Sequence, residues 1–299
     1  MPFLAIYFPS WMKSEVIPGL PVQWYGIMAI CAIVISFFLY RKQIKERNFP
    51  MTDYDLSGLF ICVVIALFLG ARIFYAVIYH TNDLFRRQPW LLFWPFRNGK
   101  FTGLRGLSYH GGAVFLVLAV LIYAKVKRFS FRELIDMYSA AVPLGYTFGR
   151  IGNFINGELY GRVTTAPFGM IFPRASKFPA SELWVQEIAE KTGVEITGEM
   201  VNLPRHPSQL YEALFEGIVL WVIIWFFRNR KPFKGFLFGL YFIGYGLFRF
   251  LIEYFREPDA NLGYRFANFT TGQILCFIMV SFGIVWLIIA SRLPDKKPI

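Results

Sequence analysis

Cysteine and histidine are scarce, with three of each in 299 residues. Cys31, Cys62 and Cys276 stand singly in apolar runs, and His80, His110 and His206 have no ligand spacing. Neither a disulfide framework nor a metal site is supported, and no organic cofactor is implied. Acidic residues are also few, 19 against 31 Lys and Arg, for a net charge of +12. In a soluble chain that excess would point to nucleic acid. Here 56% of residues are hydrophobic and mean hydropathy is +0.46, so the basic residues suit anionic lipid headgroups and no nucleic-acid partner is expected. The N-terminus lacks a basic region followed by a short apolar run and a cleavage site, so no removable signal peptide is expected. No internal repeat is visible, which counts against a transporter built from two related halves.

Long apolar runs are abundant. Seven read as spans: Trp24–Tyr40, Leu56–Tyr79, Gly111–Ala124, Leu134–Phe148, Ser208–Phe227, Phe236–Phe255 and Gly272–Ala290. With the N-terminus outside, the inner segments hold fifteen basic residues in roughly 40 positions and the outer ones thirteen in roughly 125. The expected fold is therefore an all-α polytopic membrane protein of about seven transmembrane helices, N-out and C-in, with a small periplasmic-side head. Residues 1–23 read as an interfacial N-terminal segment. Spans one to four fill 24–150, with an outward interfacial arm at 80–109; a signature loop and outward-facing head occupy 151–207. Spans five to seven fill 208–291, and 292–299 form a cytoplasmic tail.

Three polar constellations interrupt this apolar chain. Gly149 to Arg162 carries four glycines, two arginines, two asparagines and a glutamate directly after a span. Arg150 and Glu158 thus lie beside a bilayer-depth segment, where ionisable groups are functional candidates by default. On the sixth span, Tyr245, Arg249, Glu253 and Arg256 project at roughly 0°, 40°, 80° and 20° on a helix of 100° per residue. Such a stripe fits a polar cavity, although Arg249 and Glu253 could also neutralise each other at i, i+4. His110-Gly111-Gly112 opens the third span. An imidazole there could take a proton near neutral pH, or sit as an interfacial histidine, and the glycines permit close approach of a substrate or another helix.

These stretches resemble one family. Gly149-Arg150-Ile151-Gly152-Asn153-Phe154-Ile155-Asn156-Gly157-Glu158 looks like the signature of the phosphatidylglycerol–prolipoprotein diacylglyceryl transferases, bacterial enzymes that begin lipoprotein maturation. Trp24-Tyr25-Gly26, Gly70-Ala71-Arg72, the His110 motif, Arg205 to Glu212, Tyr245 to Asp259 and Thr271-Gly272-Gln273 are similar to further family elements. The resemblance implies a multi-pass enzyme of the bacterial cytoplasmic (inner) membrane. Its partners would be membrane lipid, namely phosphatidylglycerol, and prolipoprotein signal peptides with a lipobox cysteine. The diacylglyceryl group would pass to the cysteine thiol, forming a thioether and releasing glycerol phosphate.

Guanidinium forks suit a phosphodiester. Arg150 is thus expected to bind the headgroup with Asn153, and Arg249 to stabilise the leaving phosphate, oriented by Glu253. Tyr245 and Arg256 join the substrate-binding set. His110 is the first choice as base, with Tyr25 or Glu158 as helpers, though an arginine-rich site could lower a thiol pKa unaided. Trp24 and Tyr25 also suit an interfacial belt, and the alternative for Gln209, Tyr211 and Glu212, beside their place in a family element, is that they merely satisfy backbone ends. The rival function is a membrane transporter or channel for an anionic lipid or solute.

Overall fold

The structure is a computed structural model that describes residues 4–17, 22–79, 88–94, 96–97, 100–101, 108–257 and 269–294. Most of the expected arm, Pro258 and Asp259 of the sixth-span motif, and the tail after residue 294 lie outside the described residues.

The chain is mostly helical. In order come α1 (Trp24–Glu46), α2 (Asp53–Phe74), α3 (Tyr109–Lys127), α4 (Phe131–Ile155), α5 (Leu183–Thr192), α6 (Ser208–Phe227), α7 (Phe236–Ile252) and α8 (Thr271–Arg292). Strands are short: β1 (Ile6–Tyr7), β2 (Phe96–Arg97), β3 (Lys100–Phe101), β4 (Met170–Ile171), β5 (Phe178–Pro179) and β6 (Met200–Val201). Four helices among the described residues, α1, α2 with its extension to Val77, α6 and α8, are long and apolar enough to cross a membrane, and α7 is a shorter apolar helix.

Local chemistry sets the helix ends. Thr52 accepts from the Asp55 amide while Asp55 reaches back to the Thr52 amide, a capping box that starts α2. Thr270 and Gln273 build the same device at α8, at the Thr271-Gly272-Gln273 motif. Asp136 on α4 caps α7 from outside: its carboxylate accepts from the Gly235 amide at 2.8 Å and the Phe238 amide at 3.0 Å, and meets Lys231 at 2.9 Å. Asp136 is fully buried. Removing it with Asp136→Ala takes the carboxylate from a buried ion pair and leaves two amides uncapped, and should cost about 3–5 kcal/mol. Thermal unfolding in detergent checks this; a melting temperature equal to wild type would contradict it.

The described residues divide into two compact units, one within Met1–Tyr40 and Asp136–Pro294 and the other within Arg41–Ile135. In the second, α2 and α3 pack through glycine. A Cβ added at Gly70 would stand 2.4 Å from the Gly111 carbonyl oxygen, and one at Gly111 would stand 2.3 Å from that of Gly70 and 2.2 Å from Phe74 Cβ. The close approach that these glycines permit is therefore helix on helix. Tyr123 donates to the Asp55 carbonyl at 2.6 Å and Lys127 pairs with Asp55 at 2.8 Å, closing the same pair of helices further along. Arg72, buried on α2, donates through Nε to the Leu92 carbonyl at 2.6 Å. Gly111→Ala should force α2 and α3 apart at a cost of about 1–3 kcal/mol or more. A circular-dichroism melt would show it as a lowered midpoint, and an unchanged midpoint would refute the contact.

In the first unit, the segment after α4 folds into a head. β5 pairs antiparallel with β6, and Val185, Ala189, Val201 and Leu203 form a small core beneath α5. The N-terminal segment is part of this head: β1 pairs in parallel with β4, and the Phe8 ring packs on Phe154 and Phe172. Sequence alone offered only an interfacial lead-in there, because a two-residue strand carries no periodic signal.

Candidate active site

The signature stretch begins inside a helix. α4 continues through Ile155, and the chain then turns at Gly157 (φ +64°) and Leu159 (φ +59°). Positive φ is cheap only for glycine, so the sequence places its turn at Gly157. The Asn153 and Asn156 amides donate to Glu158 Oε1 at 3.0 and 3.2 Å. From the start of α6, Ser208 donates to the Leu159 carbonyl at 3.1 Å and Gln209 Nε2 to the Glu158 carbonyl at 2.6 Å. The turn is thereby fixed to α6.

Helix α6 is irregular where it matters. Ser208–Glu212 is α-helical, Ala213–Val219 is a π segment, and Leu220–Phe227 resumes the α form. Widened turns of this kind recur at functional sites. Within it Gly217 lies against α4: an added Cβ would meet Thr147 Oγ1 at 2.1 Å. Glu212 and Glu216, both fully buried, are presented on either side of the start of the widened turn.

Helix α7 supplies the third wall. It ends at Ile252, and Arg256 instead pairs through its backbone with Gly161. The expected helical stripe thus holds for Tyr245, Arg249 and Glu253, while Arg256 arrives from the turn that follows. Its side chain still reaches the same place.

That place is centred on Glu212. Its Oε2 lies 2.7 Å from Arg150 Nε, and its Oε1 lies 3.3 Å from Arg249 Nη1 and 2.9 Å from Arg256 Nη1. Glu253 Oε2 is 2.9 Å from Arg249 Nη2 and 3.8 Å from Arg256 Nε, and Glu253 Oε1 accepts from Thr270 at 2.9 Å. Tyr146 donates to Glu216, accepts from Arg150 Nε at 2.7 Å, and lies with its ring 4.7 Å from the guanidinium carbon. Arg150 Nη1 also reaches Asn153 Oδ1 at 3.4 Å. Three guanidinium groups thus face three carboxyl groups where water is largely excluded. Among the described residues Arg249 Nη1 makes no hydrogen bond despite its charged neighbours, and is a buried donor open to another acceptor. Such an array can receive an anionic oxygen without rearranging its charges.

Arg150, Asn153, Glu158, Arg249, Glu253 and Arg256 are joined in one network, and Tyr245 packs edge-on against Tyr146 at 5.9 Å. Tyr25 lies in the first turn of α1, half exposed, with its backbone against Gly152. Among the described residues it makes no hydrogen bond or ion pair with the arginine cluster. His110 opens α3 in the second unit, and its side chain lies outside the described residues. Sequence reasoning undervalued Glu212, which is the hub and not a satisfier of backbone ends, and missed Glu216 and Tyr146. Two glutamates four residues apart on an apolar span were the available signal. Gln209 does hold a backbone end, as expected. Nearby, burial among Phe168, Tyr211 and Phe255 holds the His206 imidazole below its ordinary pKa.

A family model described as prolipoprotein diacylglyceryl transferase matches residues 14–289. The chain belongs to that family. The phosphatidylglycerol–prolipoprotein diacylglyceryl transferase of Treponema denticola is 46% identical, with 98% of each chain covered. Proteins of the same name from Treponema pallidum and Chlorobaculum tepidum are 45% and 41% identical, covering 94% of this chain and 94% and 91% of their own. Membership in the diacylglyceryl transferase family gives the buried guanidinium cluster a chemical context: its relatives are named for a lipid whose headgroup is a phosphodiester.

Proposed function

We propose that this chain transfers the diacylglyceryl group of phosphatidylglycerol to the lipobox cysteine of prolipoproteins in the bacterial inner membrane. The observation that carries the reading is the meeting of Arg150, Arg249 and Arg256 around buried Glu212, in a member of this family. The cysteine thiolate attacks the glyceryl carbon that bears the phosphate. A carbon–sulfur bond forms, the carbon–oxygen bond breaks, and glycerol phosphate leaves with the electron pair. Arg150, with Asn153 donating a hydrogen bond, holds the headgroup phosphate, and Glu158 orients Asn153 by accepting from its amide. Arg249, oriented by Glu253, meets the charge that grows on the departing oxygen, and Tyr245 and Arg256 complete the wall. His110 takes the thiol proton, with Tyr25 as helper.

The chain crosses the membrane seven times, through α1, α2, α3, α4, α6, α7 and α8, N-out and C-in. The density of basic residues on the inner side supports this orientation. The shortest of the seven, α7, has 17 residues, about 25 Å of helix, near the thickness of the hydrocarbon core. Residues 151–207 form the outward head that meets the signal-peptide substrate, and 292–299 lie inside. The transporter reading lacks repeated halves, and the family to which the chain belongs is one of transferases.

Transfer itself tests the reading. Purified protein with phosphatidylglycerol and a lipobox peptide should add a diacylglyceryl mass to the peptide, and a Cys→Ser peptide should gain nothing. No mass gain from folded protein, with lipid and peptide varied, would overturn it. For the proton, His110→Asn should slow transfer, and raising the pH should restore part of the rate by ionising the thiol directly. A loss of equal size at every pH would remove His110 from the role of base.

A further inference from the structure

Two buried amides beside the signature turn are half used. Asn156 Nδ2 donates to Glu158 Oε1 at 3.2 Å, and Gln209 Nε2 donates to the Glu158 carbonyl at 2.6 Å. Asn156 is 8% exposed and Gln209 0%. Among the described residues, their carbonyl oxygens, Asn156 Oδ1 and Gln209 Oε1, have no hydrogen-bond partner. The amide orientations are not interchangeable, because turning either group would set oxygen against an oxygen of Glu158. Two acceptors are therefore buried, fixed and empty, on residues that both grip residue 158.

They stand at the end of a polar chain that starts at the phosphate-binding arginine. Arg150 Nη1 reaches Asn153 Oδ1 at 3.4 Å, Asn153 Nδ2 donates to Glu158 Oε1 at 3.0 Å, and Asn156 shares that same oxygen. A phosphatidylglycerol headgroup has the matching sequence of groups. Beyond its phosphate come one methylene, a secondary hydroxyl and a primary hydroxyl, two donors where the protein presents two acceptors.

We propose that Asn156 and Gln209 read the hydroxyl groups of the donor lipid's headgroup and so set the enzyme's preference for a polyol phosphodiester. The inference rests on the transferase activity proposed above. A lipid without headgroup hydroxyls leaves both acceptors unpaired on binding, and a site built around a hydroxyl rejects an analogue that lacks it far more strongly than it rejects a missing methylene. Charge does not enter the discrimination, because an alkyl phosphodiester carries the same single negative charge.

The full-length protein in detergent, with a lipobox peptide, should be assayed on phosphatidylglycerol and on phosphatidylethanol, which has the charge but no hydroxyl. Wild type should prefer phosphatidylglycerol in kcat/KM by about 100-fold or more, and Asn156→Leu or Gln209→Met should shrink that preference about tenfold each by losing phosphatidylglycerol turnover. Equal wild-type rates on both lipids would overturn the proposal without any variant. So would variants that slow both lipids alike, since that is the mark of a residue that only positions Glu158. Failure of wild type to use either lipid would instead strike the transferase reading itself.

Discussion

Glu212→Ala is expected to lower the melting temperature by roughly 10 °C and to reduce transfer to background. The reasoning starts from solvation. Glu212 is fully buried and, among the described residues, is the one carboxylate that touches Arg150, Arg249 and Arg256 together. Guanidinium groups stay charged at any accessible pH, so they cannot relieve the loss by releasing a proton. Removing the shared partner of a buried ion cluster typically costs about 3–5 kcal/mol, and in a chain of this size each kcal/mol moves the midpoint by about 2–4 °C. Glu212→Gln should fall between, since the amide can accept one hydrogen bond but supplies no charge. A specific signature separates this hub from an ordinary core residue. With Glu212 absent, Arg150 loses its carboxylate and Arg249 and Arg256 keep only Glu253 and the more distant Glu216, so added glycerol phosphate should raise the melting temperature of the alanine variant more than that of wild type. A variant that melts and turns over within twofold of wild type would show that the cluster does not depend on Glu212.

How much of this was legible beforehand depends on whether a feature lies within one element or between several. The spacing of Tyr245, Arg249 and Glu253 on one helix exposed their common face, and the glycine-rich stretch after Phe148 announced a turn beside charged groups. Both follow from local geometry. Glu216 was announced only by its spacing from Glu212 on an apolar span, and Tyr146 was hidden because its importance arises only when α4, α6 and α7 meet. Tyr146 reads as one more aromatic in an apolar run until its hydroxyl is placed between Arg150 and Glu216. The π segment of α6 was hidden too, since no residue type marks a widened turn as proline marks a kink. Arg256 gives the reverse lesson. The helical projection aimed it at the cavity along a helix that in fact ends at Ile252, and the turn beyond delivers it to Glu212 all the same. The glycines of the third-span motif were read as permitting either a substrate or a helix, and Gly70 decides for the helix, because the two positions exclude each other's side chains.

Arg249 should show a large loss of rate without loss of fold, and the form of the loss reveals its role. Arg249→Ala is expected to lower kcat about 100- to 1000-fold, the usual consequence of removing one charged donor aimed at a developing oxyanion. If Arg249 acts on the departing phosphate, KM for phosphatidylglycerol should stay near wild type, because the interaction strengthens only as the carbon–oxygen bond breaks. Arg150→Ala should behave differently and raise KM, since a group that holds the headgroup does so before and during reaction alike. Arg249→Lys is the sharper test. It preserves the charge but not the fork through which Arg249 meets Glu253 with one nitrogen and Glu212 with the other, at 2.9 and 3.3 Å. A compact ammonium cannot keep both contacts and still leave a donor free for substrate. Most of the activity should therefore be lost in the lysine variant as well, while detergent extraction and melting show the protein inserted and folded. A lysine variant within tenfold of wild type would mean that the site needs only a positive charge at this position, and the oriented donor at Arg249 Nη1 would lose its part in the mechanism.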